Sequence, residues 1–163
     1  MENPEWLEEL RRMLLTQELL ELLKKFENFR QKVEERFDTL EKILSFFSEY
    51  LLDAKAIDQE KINKDLSLAM KKGIISREER VDVLRLDLII KGTLLNTEGP
   101  VLVAVEVSHT IDDFDVRRTI NRAKILEKAT DKRVLPAVVG YEITKKAQDL
   151  MEKEGVIRGV FSE

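Results

Sequence analysis

The chain of 163 residues contains no cysteine and a single histidine, His109. Without cysteine there are no disulfides, thiolate-bound zinc, iron–sulfur clusters or thiol nucleophiles. One imidazole excludes multi-histidine metal sites and leaves Ser–His–Asp hydrolysis a single base. The six glycines are scattered, and none falls in a G-x-G-x-x-G or Walker pattern, so no nucleotide cofactor is expected. No stretch approaches the ~20 uncharged apolar residues of a spanning helix. The acidic opening MENPEWLEEL lacks the basic-then-apolar pattern of an export signal. The expectation is a cytoplasmic protein with no membrane partner. A large excess of one charge is missing too: 28 Lys and Arg stand against 32 Asp and Glu, a net charge of −4. Residues 1–50 hold 12 acids and 8 bases and so carry that whole excess, while the remainder balances. A neutral remainder argues against general coating of nucleic acid, which needs many phosphate contacts, but leaves room for a local basic face.

What is present divides at about residue 55. From Trp6 to Asp53 there is no glycine or proline, and apolar residues recur at helical spacing. Read back from Leu51, the positions Phe47, Leu44, Leu40, Phe37, Val33, Arg30, Phe26, Leu23 and Leu19 alternate steps of four and three, and Arg30 is the one polar member. A sustained stripe with charges between is the coiled-coil pattern. Leu7, Leu10 and Leu14 extend it upstream, although Arg12 and Thr16 then fall on the seam. A single amphipathic helix lying on its own domain would give a similar stripe. The phenylalanines make the seam bulky, which suits more than two strands or antiparallel packing, and Arg30 would set register or partner. The sequence predicts a coiled-coil oligomerisation helix over 1–55 and an α/β domain over 56–163, with the chain itself as partner.

Within the second part, Asp58–Lys72 reads as a short helix closed by Gly73. Arg80–Ile90 reads as a strand, LLNTEGP as a turn, and VLVAVEVS (101–108) as a buried central strand. Asp112–Lys128 has helical spacing, with Phe114, Ile120, Ala123 and Leu126 or Ile125 inward and acids in its first turn. Val134–Val139 is a strand, Thr144–Glu154 a helix and Val156–Val160 a last strand. Strands alternating with helices imply a sheet whose later strands are at least partly parallel.

Two charges interrupt apolar strands, Asp87 in LRLDLII and Glu106 in VLVAVEVS. An unpaired buried charge costs several kcal/mol, so each needs a partner. If the strands are neighbours, the carboxylates converge on a site for a hard cation such as Mg²⁺ or Mn²⁺, which activates water. Alternatively each pairs with a base such as Arg85, Arg117 or Arg118. His109 reads as structural, and Asp112, Asp113 and Asp115 as capping acids. Arg117, Arg118, Arg122 and Lys124 put four bases within eight residues of one helix. They read equally as a phosphate-holding or Glu106-pairing row and as a solvated face.

An Asp in one strand, a turn, and Glu-x-Lys in the next is the signature of the PD-(D/E)xK, or restriction-endonuclease-like, nuclease superfamily. The chain resembles it through Asp87, eighteen intervening residues, and Glu106-Val107-Ser108. The segment VEVSHTIDDFDVRRTINRAKILEKATDKRVLPAVVGYEIT is similar to bacterial and archaeal proteins that join an N-terminal coiled coil to such a domain. The resemblance implies an αβββαβ core with an added helix and strand. It also implies Asp87 and Glu106 as metal ligands, the Val107 carbonyl as a third, and Asp65 or Glu60 completing the set. Arg117, Arg118, Arg122 and Lys124 would lie toward DNA. Ser108 stands where the motif has its lysine, and a serine cannot supply the positive charge that activates the attacking water; Lys91, Arg117 or Lys124 would have to take over that role. Two functions follow as expectations. One is a DNA nuclease using Mg²⁺ or Mn²⁺, with Asp87, Glu106 and Ser108 at its centre. The other is a catalytically inactive descendant that assembles through its coiled coil and serves as a binding or scaffold protein.

Overall fold

Glutamate, leucine and lysine are strong helix formers, and they dominate the N-terminal third of the chain. In a computed structural model, which describes residues 4–96 and 99–162, this third is one helix, α1 (Pro4–Phe47). Pro4 occupies the first helical position, where its fixed φ suits a helix and its missing N–H costs nothing. The chain divides into two compact units, Met1–Lys42 and Ile43–Glu163, so the last turn of α1 belongs to the second. No helix among the described residues is long and apolar enough to cross a membrane.

The helix stops at Phe47, earlier than its stripe predicts. The Ser48 backbone N–H and hydroxyl both donate to the Leu44 carbonyl, at 2.9 and 2.8 Å, and a turn leads into strand β1 (Leu51–Ala56). Leu51 keeps the spacing of the seam but is a strand residue. Strand β1 pairs antiparallel with β2 (Leu88–Leu94), with a register irregularity between Leu52 and Lys55. Asp53 sits within it at φ 55°, a left-handed conformation that aspartate tolerates better than most residues.

Helix α2 (Gln59–Lys71) is capped by Asp58, whose side chain accepts from the Glu60 N–H at 3.1 Å. It ends at Gly73, with φ 71°, as the sequence predicts. Helix α3 (Arg77–Val83) then occupies residues that read as the start of a strand. The reason is a capping box: the Ser76 hydroxyl accepts from the Glu79 N–H at 3.0 Å, and the Glu79 carboxylate accepts from the Ser76 N–H at 2.7 Å. That local signal outweighs the alternation of RVDV.

Strand β3 (Pro100–Val107) pairs antiparallel with β2, Ile90 lying opposite Val103. After the two-residue strand β4 (Thr110–Ile111) comes α4 (Asp113–Thr130), which crosses to β5 (Val134–Gly140), parallel to β3. Strand β6 (Glu142–Ile143) pairs parallel with β4, and α5 (Lys145–Glu154) leads to β7 (Ile157–Val160), parallel to β5. The main sheet is mixed, in the order β1-β2-β3-β5-β7.

Both faces of this sheet are covered, which is why β3 reads as a continuous apolar run. Val101, Val103 and Val105 face a layer that includes Ile43, Phe47 and Leu51. Leu102 and Ala104 face Ile62, Leu66, Val83, Ala123 and Leu126 from α2, α3 and α4. Strand alternation therefore turns Glu106 toward α4. Phe114, which the spacing points inward, is 72 % exposed.

Candidate functional site

Glu106 is buried at 3 % exposure, with its carboxylate lodged against α4. Arg122, 16 residues further along the chain on α4, donates from Nη1 to Glu106 Oε1 and is itself 5 % exposed. The same guanidinium reaches α3, its Nε and Nη2 lying 3.0 and 2.9 Å from Asp82 Oδ1, and its Nη1 3.4 Å from the Arg85 carbonyl. Asn121 adds a donor to the other Asp82 oxygen at 3.4 Å. Arg118, one turn back on α4, lies 3.7 Å from Glu106 Oε2 and pairs with Asp115 at 2.7 Å. Asp115 in turn closes a capping box with Asp112: the Asp115 N–H donates to the Asp112 carboxylate at 2.9 Å, and the Asp112 N–H to that of Asp115 at 3.2 Å. The result is an ion-pair network tying α3, β3 and both ends of the first half of α4 together.

Asp87 lies just before β2 and is exposed, and its Oδ2 accepts from the Val107 N–H at 2.8 Å. Burial pushes the Glu106 carboxyl above the ordinary carboxylate range. Arg122 and Arg118 pull the other way, while the charge of Asp87 adds to the rise. Burial also works against the charge on Arg122, but the bonds to Asp82 and Glu106 outweigh it and hold the guanidinium proton more firmly than usual.

Ser108, at the motif's lysine position, is half-buried and donates from its hydroxyl to the Thr110 carbonyl at 2.9 Å. Its own carbonyl packs against β5 so closely that a Cβ on Gly140 would meet it at 2.2 Å, so only glycine fits there. The His109 ring lies tilted beside that of Tyr141, their centres 5.6 Å apart, and Thr110 donates to Glu142 at 3.1 Å.

Of the residues that the sequence singles out, Asp87, Glu106, Arg118 and Arg122 come together. Asp65 does not join them. It lines a separate small cleft with Lys61, Lys91 and Lys132, which also places Lys91 there. Among the described residues no three acids or histidines stand close enough together to hold one ion. The four bases of α4 do not form one outward row: Arg122 is buried, Arg118 is held by Asp115, Arg117 lies 3.6 Å from Asp113, and Lys124 is exposed. The member that sequence reasoning missed is Asp82. The Ser76–Glu79 box would have placed it on a helix, one turn after Glu79. No family model, curated protein or solved structure matches the chain.

Proposed function

We propose that this chain is a catalytically inactive, self-assembling binding or scaffold protein. Its α/β domain would descend from a PD-(D/E)xK nuclease, and α1 would be its oligomerisation element. The relationship draws support from the order of parts: an antiparallel pair with Asp87 before β2 and Glu106 near the end of β3, then a helix and a parallel strand. The observation that carries the loss of activity is the seat of Arg122 on the Glu106 carboxylate. In that arrangement the donor set does not fit a divalent cation. Glu106 is neutralised by a guanidinium, Asp87 is engaged by the Val107 N–H, and Ser108 brings no positive charge. A buried glutamate whose metal is lost would otherwise stand unpaired, and a guanidinium with a second acid behind it, Asp82, meets that need.

A second reading, hydrolysis of DNA phosphodiesters with Mg²⁺ or Mn²⁺, rests on the position of Asp87, whose carboxylate accepts from the N–H of Val107, the residue after Glu106. It requires Arg122 to withdraw to Asp82. The deciding experiment combines the solution mass of the full chain with a cleavage assay on single-stranded, double-stranded and branched DNA in Mg²⁺ or Mn²⁺. Asp87→Ala and Glu106→Ala proteins run alongside. A defined oligomer that leaves every substrate intact is the expected result. Cutting that disappears in both variants would return the chain to the hydrolytic reading.

A further inference from the structure

Building on the reading of α1 as a self-assembly element, we infer that its partner is a second copy running antiparallel, with the two helices crossing beside Lys24. On a straight helix the apolar residues Leu15, Leu19, Leu22, Phe26, Phe29 and Val33 form one row in steps of four and three, and the same steps lead on through Arg36 to Leu40, Ile43 and Phe47. This row avoids Arg30, which lies beside it and pairs with Glu27 at 2.8 Å on the same helix. The five members from Leu15 to Phe29 are each more than half exposed, whereas Phe47 at the far end is fully buried in the core of the second unit.

Between Leu15 and Val33 the row is asymmetric: leucine fills its N-terminal half, and phenylalanine and valine fill the rest. A parallel, in-register pair would stack Phe26 on Phe26 and Phe29 on Phe29, and would set Lys25 beside Arg30 of the other copy. Reversing one helix about Lys24 instead pairs Leu22 with Phe26, Leu19 with Phe29 and Leu15 with Val33, so each layer joins a leucine to a bulkier or β-branched partner. In antiparallel coils the flanking positions meet like with like, and here that sets Glu18 against Lys32 of the other copy twice and Leu23 against Leu23. Lys25 meets Lys25 once, at the axis. The charge along the helix agrees. Residues 5–21 hold five acids and two bases, and residues 24–42 hold six bases and five acids. Antiparallel packing lays the acidic half on the half with the cationic surplus.

The absence of cysteine makes the test direct. Full-length Leu15→Cys and Val33→Cys proteins are prepared singly and as a mixture refolded together, then oxidised. The antiparallel arrangement predicts a disulfide-linked species only in the mixture, joining position 15 to position 33. Glu18→Cys and Lys32→Cys, with a short bis-maleimide linker, repeat the test without touching the apolar row. Within one chain positions 18 and 32 are about 21 Å apart along the helix, so a short linker reports only contact between copies. Linking of each single variant to itself, in a protein that sediments as an oligomer, overturns the antiparallel inference and leaves self-assembly standing. A monomer at all concentrations, with no linking, overturns self-assembly itself.

Discussion

The two units solve the same problem in opposite ways. Between Trp6 and Phe29 the helix leaves twelve large apolar side chains exposed, whereas every buried apolar residue among those described lies at Ile43 or beyond. The second unit has strands and helices on which to bury its apolar faces. The first has its helical hydrogen bonds and exposed ion pairs such as Arg30–Glu27, whereas most helical stability in proteins comes from packing an apolar face. One helix thus runs from a region that leaves its apolar side chains exposed into a region that buries them.

The largest effect that separates the two regions comes from a matched pair of truncations. Phe47→Ala removes a fully buried ring from the layer that covers Val103 and Val105, and is expected to cost the second unit about 3–5 kcal/mol in urea unfolding. Phe29→Ala removes a ring that is 65 % exposed, and is expected to leave that unfolding transition in place while lowering the mass of the assembly in dilute solution. Equal loss of the transition in both variants would mean that the units do not differ as described.

Next in size is the network within the second unit. Arg122→Ala leaves Glu106 buried with only Arg118, at 3.7 Å, for company. Removing one partner of a buried pair typically costs about 3–5 kcal/mol, because the other charge is stranded. Glu106→Gln is expected to cost clearly less, since Arg122 keeps Asp82. Urea titrations of both variants decide the matter. If the two losses are equal, the cost belongs to the pair and not to the stranded carboxylate.

How much of this was legible in the sequence follows from which signals are local. Strand β3 and helix α4 were readable, one from its unbroken apolar run and the other from its spacing and the acids at its start. The register of α1 past Phe47 was not, because Leu51 keeps the helical spacing while the backbone has already turned into β1. Helix α3 was hidden by alternation, although its capping box was there to be read in Ser76 and Glu79. Glu106 stands out as a charge in an apolar strand, and Asp87 as one in an apolar run whose strand begins only at Leu88. Their surroundings do not, since the pairing of Arg122 with Glu106 and Asp82 depends on how α3 and α4 lie over β3. Asp65 failed for the same reason: its place on α2 says nothing of which cleft that face of the helix borders.

The burial of Glu106 also makes a pH-dependent prediction. Its folded-state carboxyl holds a proton above the ordinary range, so the folded protein binds that proton more readily than the unfolded chain. The stability that this contributes is fully present below the ordinary glutamate range, near pH ~4.3, and is lost as pH rises through the raised value. Glu106→Gln has no such proton to lose. The stability difference between wild type and Glu106→Gln is therefore expected to shift against wild type as pH climbs from about 4 toward neutrality. A difference that moves the opposite way would mean that Arg122 and Arg118 outweigh burial at this carboxyl.

The smallest effect gives the finest comparison, between two helix caps. Asp112 and Asp58 each hold a backbone N–H of the first turn, at 2.9 and 3.1 Å, and replacing either by alanine is expected to cost about 1 kcal/mol. The caps differ in what stands behind them. The partner of Asp112 in its box is Asp115, which holds Arg118, which lies beside Glu106. Among the described residues no such chain stands behind Asp58. Combined with Glu106→Gln in a double-mutant cycle, Asp112→Ala should give an interaction energy clear of zero, and Asp58→Ala should simply add. Additivity at both caps would confine the network to Arg122, Glu106 and Asp82, and would make Arg118 a surface neighbour of the site.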